Sequence, residues 1–417
     1  INYSNNKLNL KGESEYSIKD NNIDLFNFEI AKEKNKYNYD IFIDLTNQHI
    51  EIYELDYLKK VKSKSFLKIK GQLKKNKIDV NNILFKEGKN SVNLKNLIIQ
   101  NNKILNIGKV EIDLPTESKF RNNFKLIKKN KNYSIEGQSL NFEKLISDMS
   151  ENKPKINFLK IFDNLNSKIN ININLARLDN ESNIEDLNGT LEIKNNKIFN
   201  ANFKSSFSDN EKIFLRINTN EDNSVTTNFS SDRAKPFVKK YKFIKGFDGG
   251  NIDFSSSRKG DVTKSKLIID NFKIQEVPIL AKLLTLASLQ GIADLLTGEG
   301  IRFTDFEMLY SKKGNLTTID EIYSIGPAIS IMMEGYIEEK KLVSLRGTLV
   351  PARTINRTIS SIPLIGDILV GKKVGEGVFG VSFKIKGHPR NLKTSVNPVK
   401  TLTPRFITRT LEKIKKN

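Results

Sequence analysis

"GTLEIKNNKIFNANF", residues 189–203, alternates apolar and polar side chains on both sides of an Asn-Asn pair. Alternation of period two describes a strand with one apolar and one polar face, and Asn195-Asn196 suits the left-handed backbone of a two-residue hairpin turn. The segment therefore reads as a β-hairpin. The pattern recurs along the first half of the chain: "YDIFIDL" (39–45) sets Ile41, Ile43 and Leu45 against Phe42 and Asp44, and "GKVEIDL" (108–114) alternates Val110, Ile112 and Leu114. "EKIFLRINTNEDNSVTTNF" (211–229) gives another hairpin, with Ile213, Leu215 and Ile217 on one face. Strands this close in sequence pair most naturally as an antiparallel meander, and no alternation of strand with long helix suggests a parallel sheet. The expected class is mainly β.

Two short helices are expected within this region, over "NFEKLISDMS" (141–150) and "FLKIFDNL" (158–165). At Pro236 the texture changes to more Gly, less Asn and longer apolar stretches, which suggests segments 1–235 and 236–417. "VPILAKLLTLASLQGIADLLTGEG" (277–300) has Pro278 near a helix start and Gly298 past its end, with Leu280, Leu283, Leu284, Ala287, Gly291 and Leu295 forming a stripe. Lys282 and Asp294 argue against a membrane span. Strands resume at "IRFTDFEMLY", "AISIMMEGYIE" and "KLVSLRGTLVP", the last two joined through Glu339-Lys340. "NRTISSIPLIGDILVG" (356–371) reads as a helix broken at Pro363, where a backbone donor is missing. "GVFGVSFKIKG" (377–387) is a strand with Phe379, Val381, Phe383 and Ile385 on one side. A basic amphipathic helix closes the chain from Thr403 and Pro404: Ile407, Leu411 and Ile414 share a face, while Arg405, Arg409, Lys413 and Lys416 lie off it. Docking on the sheet and contact with an anionic lipid surface both suit such a helix.

Chemistry is harder to find. Gly375-x-Gly377-x-x-Gly380 spells a dinucleotide fingerprint, yet the fingerprint requires a strand before the glycines and a helix after them, and the order here is reversed. Gly366 with Gly371-Lys372-Lys373 resembles a phosphate loop, but Lys373 stands where a hydroxyl must reach magnesium. The absence of cysteine removes thiol chemistry, and His49 and His388 are too far apart in sequence to suggest a metal cluster or a triad. No nucleophile, base and orienting group can be named together, so no catalytic residue, cofactor or metal is expected and the chain reads as a non-enzyme.

The formal charge of +21, from 69 Lys and Arg against 48 Asp and Glu, would attract a polyanion such as nucleic acid or an acidic membrane face. The lysines are scattered rather than gathered in a stripe, and Lys, Asn and Ile are abundant throughout, so nucleic acid is the unfavoured partner. No stretch of eighteen uncharged apolar residues is present, and the first residues lack the apolar core of a signal peptide. Because the chain starts at Ile1, it reads as part of a longer or processed product, with any targeting segment upstream.

A set of landmarks resembles the AsmA-like C-terminal region of the AsmA, YhdP and TamB superfamily of bacterial envelope proteins. They are "FDGGNIDF" (247–254), "LIIDNFKIQEVPILAKLLTLASLQGIADLLTGEGIRFTDFEMLY" (267–310), "IGPAISIMMEGYIE" (325–338), "LRGTLVPARTIN" (345–356), "SIPLIGDILVG" (361–371), "GEGVFGVSFKIKG" (375–387) and "VNPVKTLTPRFITR" (396–409). The first 235 residues match in texture alone, and Arg405 stands where relatives often have Gly. The resemblance implies a bridge-like lipid transfer protein: an elongated, twisted antiparallel β-sheet groove, taco-like, with a few short amphipathic helices near its C-terminal end. It further implies phospholipid as partner, an inner-membrane anchor upstream, proximity to the outer membrane, a periplasmic location and a role in outer-membrane biogenesis. On this reading Ile329, Ile331, Met333, Ile337, Val343, Leu345, Leu349, Phe379, Val381, Phe383 and Ile385 face the groove. Leu280, Leu283, Leu284, Ala287 and Leu295 form the apolar face of a capping helix, and the helix carrying Arg405, Ile407, Arg409, Leu411, Lys413 and Ile414 meets a membrane or docks. A closed β-sandwich would use the same alternating residues as core, which leaves a structural or regulatory envelope protein as the alternative.

Overall fold

The structure is a computed structural model that describes residues 2–4, 7–18, 22–144, 158–238, 245–275, 277–287, 289, 293–294, 298–351 and 380–399. It is mainly β. The chain divides into two compact units, Ile1–Glu211 and Lys212–Asn417. The compositional change at Pro236 falls inside the second unit.

Unit 1 is built from β1 (Asn2–Ser4), β2 (Lys7–Tyr16), β3 (Asp24–Glu33), β4 (Lys36–Asp44), β5 (Ile50–Ile52), β6 (Tyr57–Lys59), β7 (Ser65–Lys74) and β8 (Lys77–Glu87). These are followed by β9 (Asn90–Gln100), β10 (Lys103–Asn106), β11 (Lys109–Pro115), β12 (Arg121–Lys129), β13 (Asn132–Asn141), β14 (Ser167–Arg177), β15 (Asn183–Lys194) and β16 (Lys197–Ser206). β5 and β6 form a separate two-stranded ribbon; the others pair in sequence order, with β10 and β11 sharing the edge of β9. Asn does much of the turning. Asn101 and Asn102 have φ of 50° and 59°, and Asn195 and Asn196 have 50° and 58°, the left-handed pairs whose twist matches the flanking strands.

A wholly antiparallel meander is corrected at one place. β14 runs parallel to β13, with Tyr133 opposite Ile169 and Ile135 opposite Ile171. The intervening residues 142–166 are long enough for the return that a parallel pair needs. Of the helix expected over 158–165, the structure has a 3-10 helix at Phe158–Ile161, after which Phe162 is buried and bridged to Ile104. Most of 141–150 lies outside the described residues.

Unit 2 is an antiparallel meander: β17 (Lys212–Thr219), β18 (Val225–Ser231), β19 (Lys245–Lys259), β20 (Val262–Gln275), β21 (Ile301–Lys313), β22 (Leu316–Ile325), β23 (Ile329–Glu338), β24 (Leu342–Pro351), β25 (Gly380–His388) and β26 (Asn391–Val399). It also holds a short helix α1 (Lys235–Val238) and a longer one, α2 (Pro278–Leu286). Asn271, at φ 54°, and Gly250, at φ 78°, lie at the same level of β20 and β19. Their left-handed backbones shift the alternation by one residue, so that Ile269 and Phe272 are both buried although three apart. Among the described residues, no ladder joins the first strands of either unit to its last, so both sheets are open.

Glycine-aromatic pairs recur across the strands. Gly12 faces Phe28, Gly71 faces Tyr39, Gly137 faces Phe124, Gly189 faces Phe203 and Gly347 faces Phe383. A Cβ built at Gly12 would fall 2.5 Å from its partner's ring, and one at Gly189 would fall 2.3 Å. At Gly12, Gly71, Gly189 and Gly347 the missing side chain leaves space that the partner's ring enters.

Candidate functional site

The register brings the alternating residues of unit 1 into cross-strand rows. One row runs without a polar interruption from Gly12 through Phe28, Ile41, Ile69, Ile83 and Leu94, each the Cα partner of the next. It continues through Val110, Leu126, Ile135, Ile171 and Gly189 to Phe203. At the usual strand spacing this row extends about 50 Å along the sheet. Every member is half-buried; Ile69, Ile83, Leu94, Val110 and Leu126 pack against a buried cluster that includes Phe162, and Leu126, Ile135 and Ile171 against one that includes Tyr133. The row is a continuous apolar surface that Leu159, Phe162 and Leu165 cover in part.

The opposite face is polar. Lys11 pairs with Glu29 at 3.1 Å, Lys70 with Asp40 at 2.6 Å, Arg121 with Asp113 at 2.5 Å and Lys125 with Glu136 at 3.6 Å. The Arg121 guanidinium, backed by Asn123, holds the Asp113 carboxyl below its ordinary range against the opposing effect of burial. These side chains are largely exposed, and their contribution to stability is small.

Closed packing in unit 1 gathers at the ends of the strands. At one end Leu45, Tyr57, Phe85 and Leu114 form a core beneath the β5–β6 ribbon. Tyr57 donates its hydroxyl to Glu87 at 2.7 Å, Ser63 donates to the same carboxylate at 2.6 Å, and Asn90 at 2.8 Å. Burial raises the Glu87 carboxyl, but these donors and the Lys59 charge outweigh it and hold the group below its ordinary value. Lys59 is fully buried and donates to the carbonyls of Thr46, Gln48 and Lys60, and burial pulls its pKa down. At the other end Val80, Leu97, Ile107 and Phe162 form a second core. Tyr133, Ile169 and Ile193 form a third, and from Ile69 to Ile171 the central row packs against the second or the third.

Unit 2 uses its apolar face differently. Leu280, Leu283 and Leu284 of α2 enter one core with Phe272, Ile274, Ile301, Phe303, Ile329, Leu349, Phe383 and Ile385. Phe272 stacks on Phe247 at 5.3 Å and on Phe303 at 5.5 Å. The residues expected to face a groove do share one face: Ile331 is opposite Leu349, Ile337 opposite Val343 and Leu345 opposite Ile385. Ile329, Val343, Leu349, Val381, Phe383 and Ile385 are buried, whereas Ile331, Met333, Ile337 and Leu345 are half-buried. Ala287 is buried at the end of α2. Phe379, Leu295, the broken helix with its glycines up to Gly377, and the terminal helix with Arg405, Ile407, Arg409, Leu411, Lys413 and Ile414 lie outside the described residues. A hollow of about 600 Å³ opens against β22–β26; the groove candidates Met333 and Phe383 line it with Val396, and so do Glu334, Arg346 and Lys384, of which Arg346 pairs with Glu334 at 2.7 Å.

The central row escapes a strand-by-strand reading because alternation identifies faces without saying which residues of different strands stand opposite one another. Its signal is the constant level of one aliphatic residue per strand, visible once hairpin turns are counted. Among the described residues no group of three metal-ligating side chains converges, and no helix is long and apolar enough to cross a membrane.

Fold and face together define a mainly β protein of open, one-faced sheets. No family model, curated protein or solved structure matches the chain.

Proposed function

We propose that the chain is a non-enzymatic lipid carrier, in which the apolar face of unit 1 shelters the acyl chains of phospholipid. The supporting observation is the half-buried row from Phe28 to Ile171, aliphatic at each step after the first, on a sheet whose other face is charged. An acyl chain laid along such a row leaves water at a gain of about 0.8 kcal/mol for each buried methylene. Nothing in that process requires a nucleophile or a metal.

The landmarks of the second unit resemble the AsmA-like region of bacterial bridge proteins, and on that resemblance the setting is the periplasm, between inner and outer membrane. In this reading the apolar face of unit 2 is already occupied by α2. The test is purification from lysate without detergent, followed by solvent extraction and mass spectrometry. Phospholipid is expected at one or more molecules per chain, and Ile83→Glu with Leu126→Glu is expected to remove it while the circular dichroism of the strands is retained. A wild-type chain that carries no lipid sinks the proposal. The structural alternative predicts that outcome.

A further inference from the structure

The two rims of the unit 1 sheet differ in charge. Following the strand directions, the corners β3–β4, β7–β8, β9–β10, β12–β13 and β15–β16 fall on one rim. Their sequences are EKNK (33–36), KKNK (74–77), QNNK (100–103), KNKN (129–132) and KNNK (194–197), ten lysines with a single glutamate. Carboxylates from the corners or the outer face meet several of them: Glu33 pairs with Lys36, Asp79 with Lys74 and Lys77, Glu136 with Lys129 and Glu192 with Lys194. The corners at 33–36, 74–77, 129–132 and 194–197 still carry more cations than these carboxylates. The other rim carries EGKN (87–90), TESK (116–119), LDNES (178–182) and FSDNE (207–211), with six acids against two lysines. The excursion 45–64 on that rim nearly balances Lys59, Lys60, Lys62 and Lys64 with Glu51, Glu54 and Asp56.

An independent observation marks the same lysine rim. Tyr37, Leu73 and Ile78 are successive cross-strand partners on the apolar face at that rim, and they are exposed by 39%, 40% and 38%. Exposed apolar side chains directly below a line of ammonium groups match the boundary between acyl chain and headgroup. The first four corners recur every second strand, about 10 Å apart, which is close to the width of one phospholipid, and the fifth follows after three strands because β14 is parallel to β13.

We propose that the lysine rim of unit 1 is a rail for phosphate-bearing headgroups and selects lipids of net negative charge, with their acyl chains on the central row. The inference rests on the lipid-carrier reading and adds an orientation: headgroups lie on the 33–36 to 194–197 side. The lysines act without bond making, by attraction to the phosphate and to the excess negative charge that distinguishes phosphatidylglycerol from phosphatidylcholine.

The test offers the full chain mixed vesicles containing equal phosphatidylglycerol and phosphatidylcholine, and quantifies the lipid it extracts. Wild type is expected to favour phosphatidylglycerol about fivefold, the effect of one well-placed lysine near an anionic surface. K34Q/K75Q/K103Q/K131Q/K197Q, one change per corner, is expected to bring the ratio to about one, with phosphatidylglycerol uptake falling about fivefold more than phosphatidylcholine uptake. K60Q/K62Q/K64Q/K89Q/K119Q, an equal charge loss on the opposite rim, is expected to keep the preference. Equal uptake of both lipids by wild type, or equal loss of preference in both variants, overturns the rail and leaves the carrier intact. Uptake of neither lipid overturns both. A single-stranded oligonucleotide that binds through the same five lysines and excludes phosphatidylglycerol assigns the rim to nucleic acid instead.

Discussion

The two units contain the same kind of sheet and treat its apolar face in opposite ways. In unit 2, α2 inserts Leu280, Leu283 and Leu284 against the strands, and eighteen buried residues form one core. In unit 1 the buried clusters are small, and the row through Ile69, Ile83, Leu94 and Val110 packs against one of them while staying half-buried. Alternating strands thus supply an apolar face, and whether it becomes a core depends on what the connections place over it. The connection between β20 and β21 supplies a helix. In unit 1 the connection between β13 and β14 supplies Leu159, Phe162 and Leu165, which cover only part of the row.

The largest effect that sharpens this contrast is expected at Leu284, which is fully buried. Leu284→Ala removes contacts from a closed core and costs unit 2 about 3 kcal/mol, whereas Ile83→Ala in the half-buried row costs unit 1 about 1 kcal/mol. Hydrogen exchange read by mass spectrometry separates the two; equal losses would erase the contrast. Next comes Gly189→Val, where even a Cβ would fall 2.3 Å from the Asn202 carbonyl oxygen and the Phe203 ring. Overpacking there costs about 2 kcal/mol, measured as a lower denaturation midpoint, and a neutral result would show that the ring does not need the glycine's space.

A smaller effect concerns the β5–β6 ribbon. Tyr57→Phe removes one donor from Glu87 and costs about 1.5 kcal/mol. Glu87 is held below its ordinary carboxyl value in the fold, so its contribution is fully present above the range of an unfolded carboxyl. It is lost as pH falls through the lowered value. Amides of 50–59 are therefore expected to gain exchange, after correction for intrinsic rate, in acid and before the amides of β14 and β15. The smallest effect is on the polar face: Lys70→Ala breaks the 2.6 Å pair with Asp40, yet both side chains are about half exposed, and the change is about 0.3 kcal/mol. A cost above 1 kcal/mol would mean that the outer face is less hydrated than the account holds.

Much of this fold is legible in the sequence because alternation and turn residues are local properties. "GTLEIKNNKIFNANF" is a hairpin with Asn195 and Asn196 both left-handed, and the Glu339-Lys340 corner joins β23 to β24. Pro278 opens α2 as its fixed φ suggests. Three features are not local and were not legible. The parallel pairing of β13 with β14 depends on where a long connection returns. The change of alternation at Asn271 depends on a backbone conformation that Asn adopts without requiring it. The third is coverage: Phe383 and Ile83 alternate alike in their strands, but one packs in the core that holds α2 and the other lies in the half-covered row. The groove residues named from sequence follow the family resemblance and, Phe379 aside, lie in β23–β25, whereas the half-buried row that suits a lipid runs through the first unit.

The central claim is that the face of unit 1 is a lipid surface and the face of unit 2 beneath α2 is a core. A photoreactive amino acid placed in turn at Ile83, Leu126 and Leu284, irradiated in living cells and followed by intact mass measurement, tests it directly. The account predicts phospholipid adducts at Ile83 and Leu126 and internal protein crosslinks at Leu284. Adducts at Leu284, or protein crosslinks alone at Ile83 and Leu126, would contradict it.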